Sequence, residues 1–114
     1  MKGYRCYEVH INKREFGRNN VKVFDIGNDN IIAVTRSARF GSYVAIGSKK
    51  EEEKVVLQAI LTKFNTRRKN IEAKLNILYS QKNKDDKLIA YTQQDLKKLN
   101  ITKSDLKIIR RWER

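Results

Sequence analysis

The chain has 114 residues, and 26 Lys and Arg against 13 Asp and Glu give it a net charge of +13. So large a positive charge repels itself, and it usually persists because a polyanion neutralises it. Nucleic-acid phosphates are the commonest polyanions. Its apolar runs are too short for a spanning helix or a signal peptide, so we expect a cytoplasmic protein with no membrane partner. One cysteine and one histidine exclude an intrachain disulfide and a zinc cluster, so no metal or other cofactor is expected.

The first 47 residues form short runs in which apolar and polar residues alternate, separated by Gly and Asn. Tyr7, Val9 and Ile11 share one face of the first run. Further strands are predicted over residues 21–26, 31–36 and 43–46. Residues 27–30 predict a tight turn, because Gly, Asn and Asp tolerate positive φ angles. The pattern therefore predicts an N-terminal antiparallel β-meander of three to four strands.

A long helix is predicted after the meander. Ser48 and Glu51 have the S-x-x-E spacing of a capping box, in which each side chain binds an amide at the helix start. Apolar residues at spacings of three, four or seven mark one stripe of this helix: Val56, Ile60, Phe64, Ile71, Leu75 and Leu78. The polar stretch 65–70 interrupts the stripe, so residues 49–80 can form either one helix or two.

The tail contains a short repeat, in which Thr92–Lys97 is echoed by Thr102–Lys107. In each copy a Thr is a suitable N-cap and an Asp follows three residues later, which favours two short helices. The predicted fold class is therefore α+β. Residues 1–80 would hold the meander and the long helix, and residues 81–114 a C-terminal helical pair, either as a second domain or within one single domain.

Apolar residues in the tail occupy positions that pack two crossed helices: Leu96, Leu99, Ile101, Leu106 and Ile109. Asn100 lies at the intervening turn, where a left-handed conformation favours Gly or Asn. In this pattern residues 92–111 resemble the helix-turn-helix of phage repressors and other bacterial or archaeal regulators. The resemblance implies a recognition helix, from about Thr102 to Trp112, for the major groove of duplex DNA. Its outward face would carry Thr102, Lys103, Ser104, Lys107, Arg110 and Arg111.

Residues 62–114 contain 15 basic and 6 acidic residues, so most of the net charge lies in this half of the chain. Arg67 and Arg68, in the polar stretch of the long helix, join the candidate nucleic-acid-binding residues. We expect a small DNA-binding regulator or DNA-packaging factor of a virus or mobile element. A homodimer is a further expectation, because many helix-turn-helix proteins read two half-sites as pairs.

A second hypothesis places the binding surface on the sheet. Arg36, Arg39, Phe40 and Tyr43 mix basic and aromatic side chains around one hairpin, which could bind RNA or single-stranded nucleic acid by base stacking. The alternative is that Phe40 and Tyr43 are ordinary core or turn residues.

Enzymatic hypotheses are weaker, and we expect no enzyme. The sequence Glu52-Glu53-Lys54 has the E-x-K spacing of metal-dependent nucleases, with Asp25 or Asp29 as a partner carboxylate, but that motif belongs on a strand. A basic ribonuclease-type toxin that uses Arg, Lys and Tyr without His is the retained alternative.

Overall fold

Five antiparallel strands form one sheet in the computed structural model, which describes residues 3–12, 17–37 and 41–114. The strands are β1 (Arg5–Ile11), β2 (Arg18–Gly27), β3 (Asn30–Ser37), β4 (Gly41–Ser48) and β5 (Leu106–Glu113). Their order across the sheet is β4-β3-β2-β1-β5. The α+β class is confirmed. The four N-terminal strands form the predicted meander, but the sheet also includes a fifth strand from the C-terminal tail.

One face of the sheet, called the inner face here, is covered. Its buried side chains alternate along the strands, as the period of two requires: Tyr7, Val9, Ile11, Val21, Val23, Ile31, Ala33 and Thr35. Helix α1 (Glu52–Ser80) contacts the strands through its first part. Lys63 Nζ donates a hydrogen bond to Asn19 Oδ1 at 2.9 Å, and a Cβ atom at Gly47 would lie only 2.5 Å from Val55 Cγ2.

The turn between β2 and β3 has the predicted geometry. Gly27, Asn28 and Asp29 all have positive φ angles, of 91°, 54° and 59°. Two successive left-handed residues match the twist of the flanking strands, and Asn and Asp are the side chains that best accept this conformation.

The long helix is continuous, which settles the alternative that the sequence left open. A 3₁₀ turn, Lys49–Glu51, leads into α1, and the Ser48 hydroxyl accepts a hydrogen bond from the Lys50 amide at 3.3 Å. The polar stretch 65–70 is therefore helical. It contains neither Gly nor Pro, so nothing in it breaks the backbone hydrogen bonds.

The chain divides into two compact units: Met1–Lys63 with Thr102–Arg114, and Phe64–Ile101. The second unit contains the rest of α1 and helix α2 (Asp86–Lys98). A small apolar cluster within it comprises Leu75, Leu78 and Ile89, with Leu96 packed against them. Whether residues 1–80 and 81–114 are separate domains stays a prediction.

Helix α2 begins earlier than the repeat predicted. Asp85 is its N-cap, and the Asp85 carboxylate accepts a hydrogen bond from the Leu88 amide at 3.1 Å. Thr92 lies inside the helix, where its hydroxyl donates to the Leu88 carbonyl at 2.7 Å. The prediction that Thr92 starts a helix is therefore wrong, because an Asp N-cap seven residues earlier satisfies the first-turn amides.

The predicted recognition helix from Thr102 to Trp112 is also wrong. Only one 3₁₀ turn, Lys103–Asp105, forms there before β5 begins at Leu106. The Asp105 carboxylate does accept from the Thr102 amide, at 2.9 Å, so the capping signal is present but ends after one turn. The physical reason is the pairing of this segment with β1. As a strand it forms hydrogen bonds with the backbone amides and carbonyls along the edge of β1, which a helix would leave without these partners.

Candidate nucleic-acid interface

The residues predicted for a recognition helix are divided between two faces of a strand. Lys107 pairs with His10 and Arg110 with Glu8, so both side chains lie on the outer face of the sheet, opposite α1. Arg111 pairs with the buried Tyr7 and lies on the inner face. Thr102, Lys103 and Ser104 lie before the strand, in and beside the 3₁₀ turn, and are exposed. The six residues therefore do not form one binding surface.

The predicted hairpin platform is divided in the same way. Arg36 is exposed and pairs with Ser42. Tyr43 pairs with Thr35, whose side chain is buried on the inner face. Arg36 and Tyr43 therefore point to opposite sides of the sheet. Arg39 and Phe40 lie outside the described residues.

Arg67 and Arg68 belong to the second compact unit. Arg67 lies over the Phe64 ring, 6.0 Å from its centroid. Arg68 donates to Asn100 Oδ1 at 3.3 Å and lies 3.9 Å from the Glu72 carboxylate. Both arginines thus have contacts inside their own unit, and Arg68 has a carboxylate partner that offsets its charge.

The outer face of the sheet carries a strong excess of positive charge. By register, its basic side chains among the described strand residues are Arg18, Lys22, Arg36, Lys107 and Arg110. Glu8 is the only acidic side chain that these strands place there, and its carboxylate pairs with Arg18 at 3.1 Å. A groove on this face is lined in part by Arg18, Lys22, Arg36 and the Phe24 ring. The face therefore has the charge to bind a polyanion.

Aromatic rings lie among these cations. The Tyr4 and Phe24 rings are 5.2 Å apart between centroids, and Lys22 Nζ lies 5.3 Å from the Tyr4 centroid. On β5 the Arg110 guanidinium lies 4.7 Å from the Trp112 ring centroid. Phe24 is 36% exposed. The outer face therefore combines rings on which bases can stack with cations that can pair with phosphates.

The sequence hypotheses did not include Tyr4, Lys22, Phe24 or Trp112. Alternation in β2 could have identified two of them, because Lys22 and Phe24 flank the buried Val23 and must therefore point away from the core. Trp112 joins this face only through the pairing of β5 with β1, and no local pattern predicts that pairing.

A second charged cluster lies on the other side of the sheet, at the start of α1. The Arg5 guanidinium reaches two carboxylates, with Nη2 2.6 Å from Glu52 Oε1 and 3.0 Å from Asp25 Oδ1. The Tyr7 hydroxyl also donates to Glu52, and Arg111 Nη2 lies 3.9 Å from Glu52 Oε2. The cluster ties β1, β2 and β5 to the first turn of α1.

The electrostatics of this cluster indicate a structural role. Burial disfavours the Glu52 carboxylate, but hydrogen bonds from Arg5 and Tyr7 outweigh burial and lower the pKa of Glu52. Burial, together with the hydrogen bond to Glu52, raises the pKa of Tyr7. A carboxylate so well paired is a weak proton acceptor. Glu52 and Glu53 open a helix, and Arg5 lies between Glu52 and Asp25, an arrangement unlike that of a nuclease metal site.

Glu52→Gln should lower the free energy of unfolding by about 1–3 kcal/mol at pH 7, because a charged hydrogen-bond acceptor is removed. Because folding lowers the pKa of Glu52, its carboxylate stabilises the fold fully at a pH above the pKa of the unfolded state, which is about 4.3. This contribution is lost as the pH falls through the pKa of the folded state. Urea unfolding at several pH values measures the difference, which should shrink below about pH 4.

The exposed neighbour Glu53 provides the matched control for this test. Glu53→Gln removes the same charge from the same helix turn, and unfolding should change by no more than about 0.5 kcal/mol. Equal losses of stability in the two variants would contradict the structural role of the Glu52 cluster.

The described residues contain no group of three or more His, Cys, Asp or Glu side chains that could hold a metal ion. Within the same residues, no helix is both long enough and apolar enough to cross a bilayer. No family model, curated protein or solved structure matches the chain.

Proposed function

We propose that this protein binds single-stranded nucleic acid, RNA or DNA, on the outer face of its sheet. The observation that carries the proposal is the juxtaposition on this face of aromatic rings and cations, with Arg110 over Trp112 and Lys22 over Tyr4. Single-strand-binding proteins use the same two elements, a basic surface along the backbone and rings under the bases.

The spacing of the groups supports simultaneous contact with bases and phosphates. Trp112 and Lys22 both pair with Cys6, on either side of β1, and so lie in one row across the sheet. Phe24 and Tyr4 form a neighbouring pair of rings. A base can stack on an exposed ring or on a guanidinium plane, while lysine and arginine neutralise the adjoining phosphates.

The shape of the face favours a single strand over a duplex. Five strands at a spacing of about 4.8 Å extend about 19 Å across the sheet, whereas the major groove of B-DNA is about 12 Å wide. The sheet face is thus too wide to enter that groove. Strand β5 takes the place of the recognition helix that motivated the duplex-DNA hypothesis, and exposed rings stack most readily on bases that are unpaired.

Fluorescence anisotropy with labelled oligonucleotides of about 12 nucleotides, within the usual range of site sizes, tests the proposal. Single-stranded DNA, single-stranded RNA and a DNA duplex of equal length are compared at about 50 and 200 mM salt. We expect at least one single strand to bind more tightly than the duplex at both salt concentrations, and affinity to fall steeply as salt rises. Tighter binding of the duplex at both concentrations would overturn the proposal.

Two adjacent arginines give a matched pair for locating the site, because they have the same chemistry on opposite faces of β5. Arg110→Ala should weaken single-strand binding and reduce the slope of log affinity against log salt by about 0.7, the value for one lost phosphate contact. Arg111→Ala should leave that slope unchanged. Equal effects of the two changes, in variants that keep their circular dichroism spectrum, would contradict the assignment to the outer face.

A further inference from the structure

The two edges of the sheet differ sharply in charge. Strand β5 forms one edge and carries Lys107, Arg110, Arg111 and Glu113. Strand β4 forms the other and contains neither a charged residue nor a proline. Charged side chains and prolines are the usual protection of an edge strand against pairing with another chain. Edge β4 lacks both.

The geometry of β4 also suits pairing. Its register with β3 runs without a shift through eight residue pairs, from Asn30 with Ser48 to Ser37 with Gly41, so no bulge bends it away from a partner. On its outer face Val44 is 46% exposed and Ile46 is 66% exposed. The strand therefore offers a regular row of backbone donors and acceptors beside apolar side chains that a neighbouring strand would cover.

The uncharged β4 edge suits a second copy of this chain as its occupant. A chain with a net charge of +13 repels a second copy of itself, and that repulsion is smallest where the approaching surfaces carry no charge. Two β4 strands can meet in this way. Identical strands that pair antiparallel are related by a two-fold axis, so every contact occurs twice and the assembly closes as a dimer.

We infer that two copies of this chain associate through β4, pairing antiparallel to form one ten-stranded sheet. The two-fold axis is perpendicular to the sheet, so both outer faces point to the same side. The basic and aromatic surfaces of the two copies then lie on the same side of the joined sheet, with the two uncharged β4 strands between them. Self-association through β4 does not depend on whether the outer face binds nucleic acid.

Sedimentation equilibrium of the purified protein without nucleic acid tests the dimer. At about 100 µM, well above a micromolar Kd, we expect a species of twice the chain mass that dissociates on dilution. Val44→Lys places one added positive charge on the β4 edge of each copy and should raise the dissociation constant at least tenfold. Ile109 is 43% exposed on the opposite edge strand, so Ile109→Lys adds the same charge and should leave association unchanged.

Amide hydrogen exchange gives a second readout that requires no substitution. Residues 41–48 should become more protected as protein concentration rises, whereas residues 106–113 should not change. A monomer at all concentrations, or protection confined to β5, would overturn the inference and leave β4 open for a strand of a different protein. Equal weakening by Val44→Lys and Ile109→Lys would mean that general charge repulsion, and not the β4 edge, controls association.

Discussion

Removing two rings from the outer face, in the double variant Phe24→Ala/Trp112→Ala, should weaken single-strand binding by about 2–6 kcal/mol. Each stacked base contributes about 1–3 kcal/mol by alanine substitution, so the loss is about 30-fold or more in Kd. Fluorescence anisotropy measures the affinity. Both rings lie at a solvent-accessible face of the sheet, and circular dichroism with thermal unfolding verifies that the variant folds.

Tyr91 supplies the control for this loss. It is an aromatic residue 65% exposed on α2, in the other compact unit. Tyr91→Ala should bind the oligonucleotide as the parent does. If the double variant stays within about twofold of the parent, equivalent to roughly 0.4 kcal/mol, the rings do not stack on bases and the surface binds through charge alone.

Ile60→Ala should lower the free energy of unfolding by about 2–5 kcal/mol, because Ile60 is fully buried and a large-to-small change leaves a cavity. That is a large part of the roughly 5–15 kcal/mol expected for a whole domain. The midpoint and slope of urea unfolding measure the loss, and an unchanged slope would indicate that only stability has changed.

The same helix provides an identical substitution at an exposed position. Ile77 is 60% exposed, so Ile77→Ala should change unfolding by no more than about 0.5 kcal/mol. Comparable losses of unfolding free energy in Ile60→Ala and Ile77→Ala would show that the buried face of α1 is not the one on which Ile60 lies.

Local patterns were sufficient for β1, for the turn between β2 and β3 and for the presence of a helix after β4. The alternation of Tyr7, Val9 and Ile11 predicts the buried face of β1, because a strand with one covered face must repeat every two residues. The Gly27–Asn30 sequence predicts a turn whose φ angles are confirmed. The apolar stripe from Val56 to Leu78 predicts α1, although the pattern could not decide whether the polar stretch was helical.

The tail could not be predicted in this way, since its conformation depends on a distant partner. The spacing of Leu106 and Ile109 is compatible with a helix, and Thr102 with Asp105 is a genuine capping pair. The isoleucines at 108 and 109 and the tryptophan at 112 also favour a strand. The decisive factor was the free edge of β1, which lies about 100 positions earlier in the chain.

The candidate site was only partly predicted for the same reason. Arg36, Lys107 and Arg110 lie on the outer face, as exposed basic residues of a nucleic-acid interface would, but Tyr43 and Arg111 point the other way. Alternation puts Arg110 and Trp112 on one face of β5 and Arg111 on the other, but which of these is the outer face is decided by the register with β1, including its shift between Glu8 and Val9. A sequence pattern does not contain that register.

The pairing of β5 with β1 also sets the order in which the outer face can be assembled during synthesis. Arg5 pairs with Glu113, 108 positions later, and at about 5–20 residues per second a ribosome needs roughly 5–20 s to traverse that interval. Until β5 has been synthesised, β1 has no partner on that edge, and Arg110 and Trp112 have not yet been added. The outer face is therefore completed last, and a chain released early would leave the β1 edge open.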